Sequence, residues 1–300
     1  MGAAGLMLVA CGGSSAQIDF SREEALTPAA TASTPGTGVV RLAIGSVLSP
    51  VATSDLYGEL ADYLAEKLDR PVELVQGKTY AETNDLVKSG DVTLALVCTN
   101  PYLQGQDDFG MELLVAPEVN GETAYYSVLI AGKDVEATSL EDLRGASFAF
   151  ADPLSNSGRL APLYQLALLG ESPDSFFGRT IFPYAHDSSI RAVATGIVDA
   201  AAVDSLVFDR LRSSEPEVTA GVKVITKWGP FGISPVVVNP RLDPALKTQL
   251  REVLLGMDED ALGRRVLTDL AIDRFVVPED SIYDSVREMR AFMRDRGLGP

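Results

Sequence analysis

The sequence contains few of the residues that bind metals or form disulfides. It has one histidine, His186, and two cysteines, Cys11 and Cys98, among 300 residues. A structural zinc site usually takes four cysteine or histidine ligands, so the composition does not support one, and no cofactor is predicted. If Cys11 is modified, Cys98 is the only remaining thiol and an internal disulfide cannot form.

Basic residues are also scarce. Lys and Arg number 25 against 42 Asp and Glu, which gives a formal net charge of −17 at pH 7. This charge disfavours nucleic acids and acidic membrane surfaces as partners, because both require clustered Lys and Arg to neutralise their phosphates. A small anion is not disfavoured in the same way, since local N–H dipoles rather than the net field can hold it.

Long apolar runs are absent as well. No run approaches the ~18 apolar residues of a transmembrane helix. The first residues, MGAAGLMLVAC, resemble a bacterial lipoprotein signal that ends at Cys11, although the basic residues that normally precede the apolar core are missing. We therefore expect lipidation of Cys11, with residues 1–38 forming a signal remnant and a flexible tether. The alternative is a short apolar N-terminus that merely precedes the fold.

Alternating strands and helices are predicted for the rest of the chain. Leucines recur every four residues over 56–68 between two apolar stretches, which predicts a helix between two strands, and a helix over 80–88 and a strand over 92–97 follow. A second series of strands and helices is predicted over 125–224. The segment 228–234 (WGPFGIS) indicates a connector, and three helices follow it. This order predicts parallel sheets whose loops gather at the strand ends, and the length allows two such lobes.

The segment Ser147–Tyr164 (SFAFADPLSNSGRLAPLY) has the features of an anion-binding loop. It predicts a buried strand, a polar loop in which Ser155, Asn156 and Ser157 supply capping oxygens, and a helix near Gly158. The first N–H groups of such a helix lack carbonyl partners and carry about half a unit of positive charge, so a phosphate-like group fits there without Lys or Arg. The alternative is an ordinary helix N-cap without a ligand.

Four segments occur in an order that is typical of one protein family. The loop 152–158 has the pattern D-P-x-S-x-S-G, and 126–130 (YSVLI) is a strongly predicted strand. His186 precedes the segment 196–205 (GIVDAAAVDS), and residues 100–102 form a predicted loop after an apolar strand. Together these segments resemble the anion loop, the crossover strand, the second-lobe histidine and aspartate, and the first-lobe contact loop of the phosphonate-, phosphite- and phosphate-binding (PhnD-like) proteins of bacterial ABC importers.

This resemblance, which covers about residues 41–298, implies a fold and a function. The fold would be α/β, with two lobes in the type II arrangement of periplasmic binding proteins. Each lobe would be a mostly parallel sheet flanked by helices, and two hinge crossovers would join the lobes. Lobe 1 would comprise residues 39–124 plus 235–300, and lobe 2 residues 125–234. The protein would capture a small phosphorus oxyanion (phosphate, phosphite or a phosphonate) in the interlobe cleft and deliver it to the permease of an ABC importer. It would be a monomer, lipid-anchored at the extracytoplasmic face of the bacterial cell membrane or free in the periplasm.

The resemblance also implies which residues contact the ligand. The loop residues would hold the oxygens of the anion, and His186 would donate to one of them. Asp204 would accept from a protonated oxygen or an amine, because a buried carboxylate beside an anion is repulsive unless a proton lies between them. The candidate ligand contacts are Ser46, Cys98, Thr99, Tyr102, Tyr125, Ser155, Asn156, Ser157, Gly158, His186 and Asp204.

Two other functions compete with oxyanion transport. Cys98 stands where relatives commonly have a tyrosine or a small residue, and some relatives sense arsenite through a thiol in this region. A metalloid-sensing protein that signals to a membrane kinase is therefore the alternative. A hydrolase is a further alternative, because Ser157 or Ser155 together with His186 and Asp204 supplies the residue types of a catalytic triad. The sequence has no G-x-S-x-G motif, and its serines lie where helix capping is expected, so we predict that the protein is not an enzyme.

Overall fold

The structure is a computed structural model that describes residues 38–298. The expected lipidation site, Cys11, and all but the last residue of the expected tether lie outside the described residues. None of the helices in the described range is long and apolar enough to span a membrane.

Strands and helices alternate along the described residues. The strands are β1 (Val40–Ile44), β2 (Val72–Gln76), β3 (Leu94–Leu96), β4 (Glu112–Glu118), β5 (Ala124–Gly132), β6 (Ser147–Phe150), β7 (Arg179–Ile181), β8 (Ala200–Asp204), β9 (Val222–Gly232), β10 (Val236–Val238) and β11 (Arg274–Val276). The helices are α1 (Pro50–Leu68), α2 (Tyr80–Ser89), α3 (Thr99–Phe109), α4 (Ala161–Leu168), α5 (Pro173–Phe176), α6 (His186–Ala194), α7 (Ser205–Ser214), α8 (Pro216–Thr219), α9 (Pro244–Leu255), α10 (Ala261–Leu270) and α11 (Asp284–Asp295). Short 3₁₀ turns lie at Glu141–Leu143, Met257–Glu259 and Asp280–Tyr283, and a wider helical turn lies at Asn156–Leu160.

The strands form two sheets. The first has the order β11-β4-β10-β3-β1-β2, and the second has the order β7-β6-β8-β5-β9. In the first sheet β1 pairs in parallel with β2 and β3, whereas β10 and β11 make antiparallel pairs. In the second sheet β6 pairs in parallel with β7 and β8, whereas β5 is antiparallel to β8 and β9. The chain crosses from the first sheet to the second between β4 and β5, and it returns between β9 and β10.

This architecture confirms the predicted α/β class, with two sheets flanked by helices. The sheets are mixed rather than mostly parallel, which corrects one part of the prediction. Parallel pairs arise where a helix connects two strands of the same sheet, as α1 connects β1 to β2. The strands at the two crossings between the sheets, β4, β5, β9 and β10, make only antiparallel pairs.

Three local predictions were wrong. The stretch 98–102 is not a loop, because α3 begins directly after Cys98, and Pro101 is tolerated in the first helical turn, where an N–H has no partner. Most of the segment 228–234 is not a connector, since β9 continues to Gly232 and only residues 233–235 link it to β10. The strand β9 lies at the edge of its sheet, where proline is tolerated. Finally, the sequence predicts that His186 lies in a loop before a helix that begins near residue 188, whereas in the structure His186 starts α6.

Helix α1 shows how the first sheet is covered. Leu60, Leu64 and Leu68 lie on one face of this helix, and each is at most 4% exposed. They belong to one apolar cluster with Leu42 and Ile44 of β1. A fully buried leucine contributes about 1.5–3 kcal/mol, so this packing holds the loop between β1 and α1 firmly in place. That loop faces the second sheet and contributes to the site described next.

Candidate anion-binding site

The predicted anion loop is a tight Asx turn that leads into a wide helical turn. The N–H of Leu154 donates to Asp152 Oδ1 at 2.7 Å, and the N–H of Ser155 donates to the Asp152 carbonyl at 3.0 Å. Ser155 then caps the helix, since its Oγ accepts from the N–H of Gly158 at 2.9 Å. The N–H of Leu160 reaches back five residues to the Ser155 carbonyl, which is a π-type bond of the kind often found at functional sites.

Glycine is required at position 158 by close packing. A Cβ there would lie 2.5 Å from Ala151 Cβ, 2.9 Å from Ser155 Oγ and 3.0 Å from His186 Cε1. No larger residue fits unless the loop moves away from β6 and α6. The glycine therefore lets the start of the helix approach the histidine.

His186 links the two halves of the molecule. Its backbone N–H donates to the carbonyl of Val47, in the loop after β1, at 2.9 Å. Its Nδ1 accepts from the N–H of Asp204 at 3.1 Å, so the proton of the neutral ring is on Nε2, which lies 3.4 Å from Ser155 Oγ. Burial lowers the pKa of His186 to about 3, so the ring is neutral at physiological pH. The structure thus makes Nε2–H a donor that faces the anion loop.

Asp204 ends β8 and caps α7. Its Oδ1 accepts from the N–H groups of Leu206 at 2.7 Å and Val207 at 3.4 Å. Burial raises the pKa of Asp204 to about 7, although the two capping N–H groups oppose this shift. The carboxyl group is therefore close to half protonated at neutral pH.

The arrangement of serine, histidine and aspartate differs from that of a hydrolase triad. In a triad the aspartate carboxylate accepts a hydrogen bond from histidine Nδ1–H. Here His186 Nδ1 is itself the acceptor, from the backbone of Asp204, while the Asp204 carboxylate caps a helix. Ser155 Oγ likewise accepts a capping hydrogen bond. The contacts are those of a rigid polar binding wall.

A second group of polar side chains lies beside this wall. Asn156 Nδ2 donates to the hydroxyl oxygen of Tyr125 at 2.9 Å, and Cys98 Sγ lies 3.9 Å from the same oxygen. Burial raises the pKa of Cys98 to about 11 and also raises the pKa of Tyr125. Both groups are therefore neutral at physiological pH. A protonated, isolated thiol is a poor arsenite ligand, and Cys98 is the only free cysteine among residues 38–298.

Several buried polar atoms in this region have no hydrogen-bond partner within the described residues. They are Ser46 Oγ, Tyr80 OH, Asn156 Oδ1 and Ser157 Oγ. Ser46 lies between Gly45, which faces the ring of Tyr80, and Val47, which bonds to His186. An unpaired buried polar group costs about 1–3 kcal/mol, so these atoms are candidate contacts for a polar ligand.

Tyr80 is not among the predicted ligand contacts, because a tyrosine near the end of a sheet is more often a packing residue. Its hydroxyl is buried without a partner, and its pKa is raised, first by burial and then by Cys98, Asp152 and Asp204. Its backbone N–H also donates to Asp152 Oδ2 at 3.1 Å. Its position could have indicated a role in the site. Tyr80 starts α2, at the same end of the first sheet as Ser46 and Cys98.

Two other predicted contacts make hydrogen bonds outside this group. Thr99 Oγ1 donates to the carbonyl of Gly232, where the chain leaves the second sheet, at 2.6 Å. The hydroxyl oxygen of Tyr102 accepts from Gln106 Nε2 at 3.3 Å, and its ring packs against Tyr283 with centroids 5.1 Å apart. Ligand contact by these two residues stays a prediction.

Among residues 38–298, no lysine or arginine hydrogen-bonds to a side chain of the candidate ligand contacts. Arg159 is the nearest in sequence, and its Nη1 donates to the backbone carbonyl of Pro153 on the loop. No group of three or more His, Cys, Asp or Glu suited to a metal ion occurs among residues 38–298. A cavity of about 190 Å³ lies between α1 and the helices α6 and α7, where Asp187, Arg191 and Arg210 line it, and the unpaired atoms do not line it. The candidate ligand contacts are thus neutral polar groups and the carboxyl group of Asp204, while the carboxyl group of Asp152 shapes the loop.

Comparison with known proteins gives a consistent family assignment. Residues 42–283 match the family described as "ABC transporter, phosphonate, periplasmic substrate-binding protein". The chain is 28% identical to the phosphonates-binding periplasmic protein of Escherichia coli, over 60% of this chain and 54% of that one, so it spans about half the length of this relative. It is 29% identical to the phosphate-import protein PhnD of Mycolicibacterium smegmatis, over 79% of this chain and 81% of that one. The crystal structure of a binding protein component of an ABC phosphonate transporter from Pseudomonas aeruginosa is similar with a TM-score of 0.81, at 25% identity, over 86% of this chain and 87% of that one.

Proposed function

The chain belongs to the family of periplasmic phosphonate-binding proteins of ABC transporters, and on this premise we propose that it captures a small phosphorus oxyanion and delivers it to an ABC importer. The ligand class is phosphate, phosphite or a phosphonate. Relatives named for phosphonate and for phosphate support this class without choosing between its members.

The unpaired polar atoms are the observation that carries the proposal. Ser46 Oγ and Tyr80 OH come from the first-sheet half, whereas Asn156 Oδ1 and Ser157 Oγ come from the second. A tetrahedral oxyanion presents oxygens in several directions, so one ligand can accept hydrogen bonds from hydroxyl groups of both halves. Asn156 Oδ1 is an acceptor and can pair only with a protonated oxygen of the ligand. Hydrogen bonds to a charged group are worth roughly 1.5–3 kcal/mol each, which is enough to offset the cost of burying these groups.

We assign the two lobes as residues 39–124 plus 235–300 and residues 125–234, with the ligand in the cleft between them. The composition of the two sheets supports this division, because within residues 38–298 the chain passes between the sheets only over 118–124 and 232–236. Ser155, Asn156, Ser157 and Gly158 would hold the anion from lobe 2. His186 Nε2–H would donate to one oxygen, and Asp204 would share a proton with another.

The cell surface is the proposed location. The family assignment supports an extracytoplasmic protein with a permease as partner. Lipid anchoring through Cys11 would hold the monomeric protein near that permease. Fractionation of cells that express wild type or Cys11→Ser tests the anchor, since equal recovery of both in the soluble fraction would contradict it.

Calorimetry on the mature chain tests the ligand class. The probes are phosphate, phosphite, methylphosphonate, aminoethylphosphonate and arsenite. We expect at least one phosphorus oxyanion to bind, and we expect Ser157→Ala to weaken this binding about ten- to a hundredfold because one hydrogen bond to a charged group is lost.

A matched control separates binding from folding. Ser213→Ala removes an exposed serine of α7 and should leave both binding and melting temperature unchanged. Ser157→Ala should also melt near wild type without ligand. Binding of arsenite alone, abolished by Cys98→Ser, would replace oxyanion transport with the metalloid-sensing alternative.

A further inference from the structure

The C-terminal helix α11 contacts both proposed lobes. On the lobe 1 side, Arg290 hydrogen-bonds to α3. On the lobe 2 side, the ring of Phe292 packs edge-on against Tyr164 of α4, with centroids 4.8 Å apart at 68°. Because α4 continues directly from the wide turn 156–160, α11 lies against elements that carry the candidate site in both lobes.

Arg290 holds both oxygens of Asn100. Its Nη1 donates to the Asn100 backbone carbonyl at 3.2 Å and to Asn100 Oδ1 at 3.4 Å. The Arg290 side chain is only 15% exposed, and Asn100 is 2% exposed. The donor and acceptor of an amide lie on opposite branches, so holding Oδ1 fixes the direction of Nδ2.

Asn100 passes this constraint to the anion loop. Its Nδ2 donates to the carbonyl of Leu154 at 2.9 Å. Leu154 directly precedes Ser155, which caps the wide turn, and its own N–H is held by Asp152. This hydrogen bond therefore runs from lobe 1 to a backbone carbonyl of the anion loop. It does not involve the side chains that are proposed to bind the anion.

We propose that Arg290 is a positioning residue for ligand capture. By fixing the amide of Asn100, it directs a hydrogen bond onto Leu154 that holds the anion loop against lobe 1 in the closed form. This inference rests on the proposed capture of an anion between the lobes. Since Arg290 does not touch the anion, its effect falls mainly on the rate at which the closed complex releases ligand.

The ion pair between Arg290 and Asp107 is the competing explanation, because it would make Arg290 a stabiliser of α11 alone. Nη2 lies 2.8 Å from Asp107 Oδ2, but the Asp107 side chain is 65% exposed. Exposed ion pairs contribute little to stability, whereas the contact with Asn100 is buried. The geometry thus favours a role that acts through Asn100.

The test compares Arg290→Lys, Arg290→Met and Asp107→Asn in the mature chain, with phosphate, phosphite and methylphosphonate as probes. Lysine keeps the charge and lacks the planar fork that contacts both Asn100 oxygens and Asp107. We expect Arg290→Lys to raise Kd about three- to tenfold, mainly through faster dissociation in stopped flow, and Arg290→Met to raise it at least as much. Asp107→Asn should keep both quantities within about twofold of wild type.

A double variant identifies the route of the effect. If Arg290 acts through Asn100, then Asn100→Ala with Arg290→Lys binds no more weakly than Asn100→Ala alone. Two results would overturn the positioning role: losses of affinity that add up in the double variant, or wild-type affinity in Arg290→Lys. Neither result would contradict the proposed capture of an anion. If wild type binds none of the probes, capture and positioning both fail. Should Arg290→Met not fold, the lysine variant and the double variant decide the question.

Discussion

Burial acts in opposite directions on the two titratable groups at the centre of the site. It lowers the pKa of His186 to about 3 and raises the pKa of Asp204 to about 7, because in each case the charged form is the one that loses hydration. The histidine is thus a neutral donor and not a cation. Since no lysine or arginine hydrogen-bonds to a side chain of the candidate ligand contacts, a bound anion would be held by hydrogen bonds from neutral groups. A proton on Asp204 would reduce the repulsion between its carboxyl group and that anion.

The protonation of Asp204 leads to a pH prediction. A bound anion beside the carboxyl favours its protonated form, so above about pH 7 binding must be accompanied by proton uptake. We expect the affinity of wild type to fall between pH 7 and 9, by up to about tenfold per pH unit from this group. Asp204→Asn should bind with a weaker pH dependence, because its amide stays neutral while its oxygen can still cap α7. Calorimetry across this pH range measures the difference.

The ligand itself also titrates near neutral pH. The comparison between wild type and Asp204→Asn therefore isolates the contribution of the Asp204 carboxyl group to the pH dependence of binding. The same ligand contributes equally to both profiles. Superimposable pH profiles for wild type and Asp204→Asn would show that Asp204 does not share a proton with the anion. For the ligand-free protein, the raised pKa means that stability from this group is lost as pH rises from about 4 to about 7.

Among the elements, the anion loop takes its shape from two residues, Asp152 and Gly158. Asp152 shapes the Asx turn and also accepts a hydrogen bond from the N–H of Tyr80. It therefore fixes both the conformation of the loop and the distance of the loop from lobe 1. Gly158 lets the wide turn pack on Ala151 and His186. The placement of the serines and Asn156 follows from these two contacts.

Gly158→Ala should disrupt the element without removing any polar group. The added Cβ would be 2.5 Å from Ala151 Cβ, and overpacking of this kind costs typically 1–3 kcal/mol. We expect a lower free energy of unfolding by about this amount and at least tenfold weaker ligand binding. Denaturant unfolding and calorimetry measure both quantities.

Gly58→Ala is the matched control for this change. Gly58 lies within α1, and a Cβ there meets no atom within 4 Å. Alanine is the better helix former, so this variant should be stabilised by up to about 1 kcal/mol and should bind normally. Wild-type stability and affinity in Gly158→Ala would show that the loop can move away from β6 and α6 without consequence.

The sequence predicted elements well wherever local chemistry decides them. Gly90 ends α2, Asp243 caps α9, and Ser155 caps the turn after β6, all as their residue types indicate. Long-range pairing was harder to predict. Only the partner strand β5 makes the glycine- and proline-rich segment 228–232 extended. Likewise, nothing local to Tyr80 or Arg290 shows that Tyr80 bonds to Asp152 of the anion loop, or that Arg290 holds Asn100, which bonds to that loop.

At the scale of the whole molecule, the two proposed lobes are in direct contact. Several hydrogen bonds join them around the candidate site, among them His186 to Val47, Ser49 to Asp187, Tyr80 to Asp152 and Asn100 to Leu154. Ser46 Oγ, Tyr80 OH, Asn156 Oδ1 and Ser157 Oγ are buried without partners in the same region. Each unpaired group costs about 1–3 kcal/mol, which is at least as much as one ordinary hydrogen bond of about 0.5–1.5 kcal/mol contributes.

Ligand should therefore decide whether the lobes are closed. Without ligand, the unpaired groups gain hydration when the cleft opens, whereas a bound oxyanion accepts hydrogen bonds from the hydroxyl groups among them and reduces that advantage. We expect small-angle scattering of the ligand-free protein to give a larger radius of gyration than this structure predicts, and a saturating oxyanion to reduce it. Ser157→Ala should need about ten- to a hundredfold more ligand for the same compaction. Identical scattering profiles with and without a ligand that calorimetry shows to bind would mean that the lobes do not close around it.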